Sequence, residues 1–150
     1  MAFILPDHPF DPDRLNGGVI GIASALGWHD SGQHVHQCHQ LLFAQAGCMT
    51  IELGNQVYLL PPSRAAWLPA GVPHQVLMRG VVAYRSLYFT PQPELPASVQ
   101  GVAVNPLLRE IIERMALWPW NKPEAEQRLT WALFMEELAQ APRESWQLPL

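Results

Sequence analysis

From Val19 onward the chain alternates short apolar runs with turn residues, spaced about eight to twelve positions apart. Val19 to Leu26 is apolar and bounded by Gly17-Gly18 and Gly27, which reads as a buried strand. Leu41 to Ala46 is a second such run, closed by Gly47. Met49 to Leu53 and Gln56 to Leu60 flank Gly54-Asn55, a pair suited to a tight hairpin turn. Pro61-Pro62 then breaks the chain before a short strand over Arg64 to Leu68. Gln75 to Met78 and Val81 to Phe89 flank Arg79-Gly80 as a second hairpin, and Val99 to Val104 adds one more strand. Seven or eight short strands with these turn signals predict a mainly β fold, a sandwich or barrel of antiparallel strands. Residues 1–16, with three prolines and three aspartates, read as an extended lead-in.

After Val104 the period changes from two to three or four. Asn105 is a suitable N-cap and Pro106 a suitable first helical residue, and Leu107, Leu108, Ile111, Ile112 and Met115 then fall on one helical face. Trp118-Pro119-Trp120 ends that helix. Asn121 is the expected cap of the next, with Pro123, Glu124 and Glu126 in its first turn, where the helix dipole favours negative charge. The apolar set of this second helix is Leu129, Trp131, Ala132, Leu133, Phe134, Met135 and Leu138. That stripe is too wide for one neighbour: either it is sandwiched between barrel and helix, or part of it meets a second copy of the chain, and the second is favoured here, with Trp131 and Phe134 as interface aromatics. Ala141 to Leu150 loses helical periodicity and reads as a linker, as in a chain that is one half of something larger. The expected division is a β domain over 1–104, a helical dimerisation segment over 105–140 and a linker over 141–150.

The chain has 150 residues, 49% of them apolar and 15% charged, with six tryptophans, enough for one packed domain and outside the disordered class. Its formal charge is −4, with eight arginines and one lysine dispersed along it, which argues against a nucleic-acid surface on this segment. Two cysteines, Cys38 and Cys48, do not make a disulfide scaffold. Met1 to Pro6 lacks the basic region of a signal peptide, and no apolar run reaches the length of a membrane span. A cytoplasmic, reduced protein with no membrane contact is expected.

The chemistry is concentrated in Gln33 to Gly47, QHVHQCHQLLFAQAG. Imidazole is a common transition-metal ligand near neutral pH, and His34 and His36, two apart, share a face if the segment is extended. Gln40 has the same parity, whereas His39 has the opposite one and is left out of the site. His74 follows the turn Pro69-Ala70-Gly71-Val72-Pro73, from which a strand would aim it inward. Most lone histidines in apolar strands are simply hydrogen-bonded core groups; the pairing of His34 and His36 with a third at His74 is what raises these above that reading.

The pattern HxHxxxQxxxxxxG followed by PxGxxH resembles the two cupin motifs, with His34, His36, Gln40 and Gly47 in the first and Pro69, Gly71 and His74 in the second. Two places depart from the family pattern. Gln40 stands where the family usually has glutamate, and Met78 where it has asparagine. The longer string PPxRAxWxPAGxPH, with YRSLYFTP after it, looks like the ligand-sensing N-terminal domain of AraC-type transcription regulators, a likeness running from about Gly18 to Phe89. The resemblance implies a cupin-like antiparallel β-barrel (a double-stranded β-helix or jelly roll) followed by two C-terminal α-helices. It also implies a small-molecule effector in the barrel, a homodimer through the helices, and DNA contact only through a helix-turn-helix domain absent from this chain.

The candidate metal ligands are His34, His36, Gln40 and His74, for a divalent transition metal such as zinc, nickel, iron or manganese. A carboxamide is a weaker ligand than a carboxylate and no general base, so Gln40 favours sensing over catalysis. No catalytic residue is assigned and the chain is not expected to be an enzyme. The competing reading is a small metal-dependent cupin enzyme, a dioxygenase or isomerase, and a plainer one is an interaction module with an empty barrel. Trp67 is expected to plug the barrel base; Tyr84 and Arg85 lie on a strand near the mouth, within reach of a ligand, but an outward salt bridge is the favoured reading there.

Overall fold

The computed structural model describes Asp11, residues 18–26, 29–144 and 147–148; apart from Asp11, the lead-in expected over 1–16 lies outside the described residues. In chain order the elements are β1 (Val19–Leu26), β2 (His29–Asp30), β3 (His39–Ala46), β4 (Met49–Leu53), β5 (Gln56–Leu60), β6 (Arg64–Leu68), β7 (Gln75–Met78), β8 (Val82–Phe89) and β9 (Gln100–Ala103). The helices α1 (Pro106–Ala116) and α2 (Glu124–Gln140) follow, then the two-residue strands β10 (Arg143–Glu144) and β11 (Gln147–Leu148). Six strands form one sheet in the order β1-β8-β3-β6-β9-β10, and five form the other in the order β11-β5-β4-β7-β2. Every pairing is antiparallel. These facing sheets with crossed strand order are a cupin-like jelly roll, mainly β, with two helices after it.

The six-stranded sheet is buried on both faces, which is why its strands are nearly continuous apolar runs instead of alternating ones. In β3, Leu42 and Ala44 join the core between the sheets, with Ile20, Ile22, Met49, Ile51, Leu60, Val76 and Met78. Leu41 and Phe43, one position off, join a second core with Leu87, Phe89, Leu108, Ile112, Phe134 and Leu138, beneath the helices. Trp67 belongs to this second core: fully buried, it stacks near Phe89 (ring centroids 5.3 Å apart) and its Nε1 donates to the carbonyl of Pro96 at 2.9 Å. It therefore does not plug the jelly roll. Its register partner is Leu41, so both point to the helical side.

Gly47 closes β3 with φ +84°, and a Cβ there would lie 2.5 Å from the carbonyl oxygen of Val81, so only glycine fits the turn. At α1 the Asn105 side chain accepts from the backbone N–H of Leu108 at 2.8 Å, with Pro106 in the first turn. The start of α2 differs from expectation. Its N-cap is Pro123 (φ −61°, ψ 140°), which makes no side-chain cap, and Asn121 lies outside the helix. Proline holds the preceding residue away from helical angles, so the helix cannot begin earlier, and Glu124 and Glu126 supply the favourable charge in its first turn.

The helical interface expected on Trp131 and Phe134 also needs correction. Phe134 is fully buried and stacked on Phe89, with centroids 5.3 Å apart and planes at 19°, and Trp131 packs on the same cluster. The exposed apolar positions of α2 are instead Leu129 (80% exposed) and Leu133 (37%). Beyond α2, the segment expected to be a linker pairs with both sheets: Arg143 and Glu144 lie opposite Val102 and Gly101, and Gln147 and Leu148 opposite Tyr58 and Val57. Strands β9 and β5 offer open edges whose backbone groups need partners, and this strap supplies them. Arg64 and Glu144 form an ion pair across it, while Arg143 donates to the carbonyls of Leu138 (2.9 Å) and Ala141 (2.8 Å) at the end of α2.

Candidate ligand and metal site

Residues 31–36 run antiparallel to 71–76 without forming a full strand. Ser31 N donates to the Val76 carbonyl at 3.0 Å, His34 N to the His74 carbonyl at 2.8 Å, His74 N back to His34 at 2.9 Å, and Gly71 N to His36 at 2.9 Å. Gly71, at φ +82°, makes the turn that delivers His74 to this position. His74 then shares the inward parity of Val76 and Met78 in the inter-sheet core.

The pairing brings three imidazoles together. Ring centroids are 4.2 Å apart for His34 and His74, 4.7 Å for His34 and His36, and 5.6 Å for His36 and His74. One ligand nitrogen from each ring lies within 4.8 Å of the others. Metal–nitrogen bonds of about 2.1 Å put ligand atoms about 3–3.5 Å apart, so small side-chain rotations would close the group on an ion. The tautomers suit this. The Nδ1 of His34 donates to the Gly32 carbonyl and that of His74 to the Val72 carbonyl, each at 2.9 Å. In the neutral rings Nε2 then carries the lone pair, an orientation that outer hydrogen bonds commonly impose on metal-binding histidines. His74 Nε2 is buried and has no hydrogen-bond partner. Burial, opposed by the Val72 hydrogen bond and reinforced by His34 and His36, pushes the His74 pKa down to about 4, so the ring is neutral near pH 7.

Gln40 is buried on the inward face of β3 and meets the histidines through Tyr88. Its Nε2 donates to Ser86 Oγ at 2.9 Å and to the Tyr88 hydroxyl at 3.2 Å, and the Tyr88 ring stands edge-on to His36 with centroids 5.5 Å apart. The Gln40 Oε1, an acceptor, is buried without a partner. Tyr84 joins the same network, and burial holds both phenols above their usual range and therefore protonated. Ser24, opposite Tyr84 on β1, has a buried hydroxyl that likewise lacks a partner. Ser24, Ser86 and Tyr88 were not singled out from the sequence. The signal was present at Tyr84, Ser86 and Tyr88, hydroxyl groups at every second position of one strand.

Other candidates face elsewhere. His39 has the parity of Leu41, accepts from Ala70 N through Nδ1 at 2.9 Å, and lies over Trp67. Arg85 makes the outward salt bridge expected of it, a two-pronged pair with Glu113 of α1 at 2.7 and 3.2 Å. Cys38 packs against the inter-sheet core and Cys48 is exposed.

The chain is thus a cupin-like jelly roll whose two sheets bring together three imidazoles and a partly unpartnered hydrogen-bonding network. The chain belongs, more narrowly, to the AraC-like ligand binding domain family, whose pattern matches residues 16–141. It is 26% identical over 145 residues to the HTH-type transcriptional regulator NimR of Escherichia coli (strain K12), covering 94% of this chain and 53% of the regulator. The chain thus spans about half the length of that curated relative. Among solved structures, unsaturated fatty acid bound ToxT from Vibrio cholerae strain SCE256 shares the fold at a TM-score of 0.60, with 7% identity over 85% of this chain and 55% of ToxT. A cupin-2 domain protein from Shewanella frigidimarina NCIMB 400 aligns at a TM-score of 0.42 with 15% identity, over 45% of this chain and 66% of that one. Among the described residues no helix is long and apolar enough to cross a membrane.

Proposed function

We propose that this chain is the effector-sensing and dimerising part of a cytoplasmic transcription regulator, with DNA bound by a helix-turn-helix domain outside it. The observation that carries the reading is the interior of the jelly roll. Gln40 Oε1, Ser24 Oγ and His74 Nε2 are buried polar atoms without a protein partner, and leaving such atoms unsatisfied is costly, so they are the groups that a bound ligand or ordered water would complete. Family membership and the regulator relative support the same reading. His34, His36 and His74 are the groups that would hold a divalent metal (zinc, nickel, iron or manganese), with Gln40 Oε1 as a fourth oxygen ligand. Sensing is favoured over catalysis because no carboxylate joins the histidine group among the described residues, so neither an acidic ligand nor a carboxylate base stands beside it.

The division into a β domain over 1–104, a dimerising segment over 105–140 and an outgoing segment over 141–150 is part of this proposal. Dimerisation runs through the exposed apolar face of the helices, where Leu107 and Leu133 line a groove between α1 and α2 and Leu129 stands one turn away. The strap of β10 and β11 is bonded to both sheets of the jelly roll, so an effector held between them would have a route outward through it. A ligand drives such a change only through different affinities for the two arrangements.

The test is a fusion of residues 1–150 to a DNA-binding module that holds its operator only as a dimer, read by a repression reporter. Repression that disappears with Leu129→Glu plus Leu133→Glu, and that shifts with a compound that also raises the melting temperature, is expected. A fusion that stays monomeric and unresponsive to every compound that stabilises the domain would overturn the reading.

A further inference from the structure

The interior around the histidines has a charge problem that the donor set does not solve. Three neutral imidazoles and a neutral carboxamide leave a divalent ion with its whole formal charge, and no carboxylate joins the group among the described residues. The neighbouring side chains of the six-stranded sheet, Gln40, Tyr84, Ser86 and Tyr88, carry none either. Arg64 has the same parity on β6, but it opens the strand at the end away from Leu68, the partner of Gln40, and is paired with Glu144. His74 is buried while His34 and His36 are partly exposed, and an ion held by these neutral donors alone keeps its whole formal charge, so an anion is the favoured occupant of its open positions.

The two walls differ as well. The six-stranded sheet presents hydroxyls and a carboxamide near the triad, while the other sheet presents Met49, Ile51, Leu60, Val76 and Met78. We propose that the counter-charge comes from the effector: the site selects a small organic anion whose oxyanion completes the metal's coordination and whose apolar body lies against the five-stranded sheet. The proposal rests on the metal reading above and adds the chemical class of the effector. Gln40 is the residue that makes the selection, because a glutamate in its place would supply the missing charge from the protein and leave less for the ligand.

The 150-residue chain is loaded with cobalt(II), and benzoate and benzamide, which share a shape and differ in charge, are titrated against its visible spectrum and its melting temperature. Benzoate is expected to perturb the cobalt spectrum and to bind at least tenfold tighter than benzamide, with no such preference in metal-free protein. Gln40→Glu is expected to keep cobalt and to weaken benzoate tenfold or more. Cobalt bound with equal affinity for the two compounds would overturn the anion proposal and leave the metal reading standing. A wild-type chain that takes up no cobalt would overturn both.

Discussion

Replacing Phe134 by alanine removes a ring that is fully buried between the six-stranded sheet and α1, stacked on Phe89 at 5.3 Å and 6.3 Å from Trp131. Deleting a buried phenylalanine costs about 3–5 kcal/mol, the sum of lost transfer energy and the cavity left behind. Of this, about 0.5–1.5 kcal/mol reflects ring stacking of the kind made with Phe89. A domain of this size has about 5–15 kcal/mol of stability, so the variant should still fold. With a urea slope of about 2 kcal/mol per molar, the midpoint should fall by about 1.5–2.5 M while the slope stays constant. Urea unfolding followed by tryptophan fluorescence measures this. A loss below about 1 kcal/mol, or a variant of unchanged stability that has become monomeric, would show that Phe134 serves an interface and refute its place in the core.

Three other outcomes follow from the packing. Gly21→Ala adds a Cβ 2.6 Å from both the Ala116 Cα and the Met115 carbonyl oxygen, backbone atoms that cannot rotate aside. It should destabilise by about 1–3 kcal/mol, and an unchanged melting temperature would contradict the close seating of α1 on β1. Leu129→Glu with Leu133→Glu should leave the melt within about 0.5 kcal/mol while halving the mass seen in sedimentation, since these positions are exposed in a single chain. Glu144→Ala removes the partner of Arg64, a pair about one-third exposed on each side. Global stability should change by no more than about 1 kcal/mol, yet amide exchange in β10 should accelerate; unchanged protection there would mean the pair does not hold the strap.

The strands were readable because period-two patterning and turn residues agree from Val19 to Phe89, and the structure places β4, β5, β6 and β7 on the predicted bounds. What parity alone could not supply was the identity of each face. Both sides of the six-stranded sheet are buried, one against the other sheet and one beneath the helices, and the alternation of residues does not say which side Trp67 takes or that Phe134 of α2 packs on the sheet. Asn121 had the right chemistry for a cap, but Pro123 decided the boundary by sterics. At the site, the spacing of His34, His36 and Gln40 and the turn before His74 carried the information, because extended segments fix side-chain direction locally. The convergence of the segments is long-range: it depends on the backbone pairing of His34 with His74, and the Gln40 network depends on β3 lying beside β8.

The claim on which the rest depends is that His34, His36 and His74 form a binding centre, and elemental analysis of protein purified without a metal-affinity column tests it most directly. About one divalent transition metal per chain is predicted for the wild type, with less than a tenth of that in a folded His74→Ala variant. A wild-type protein that is metal-free, and whose melting temperature does not move when zinc, nickel, iron or manganese salts are added, would contradict the account.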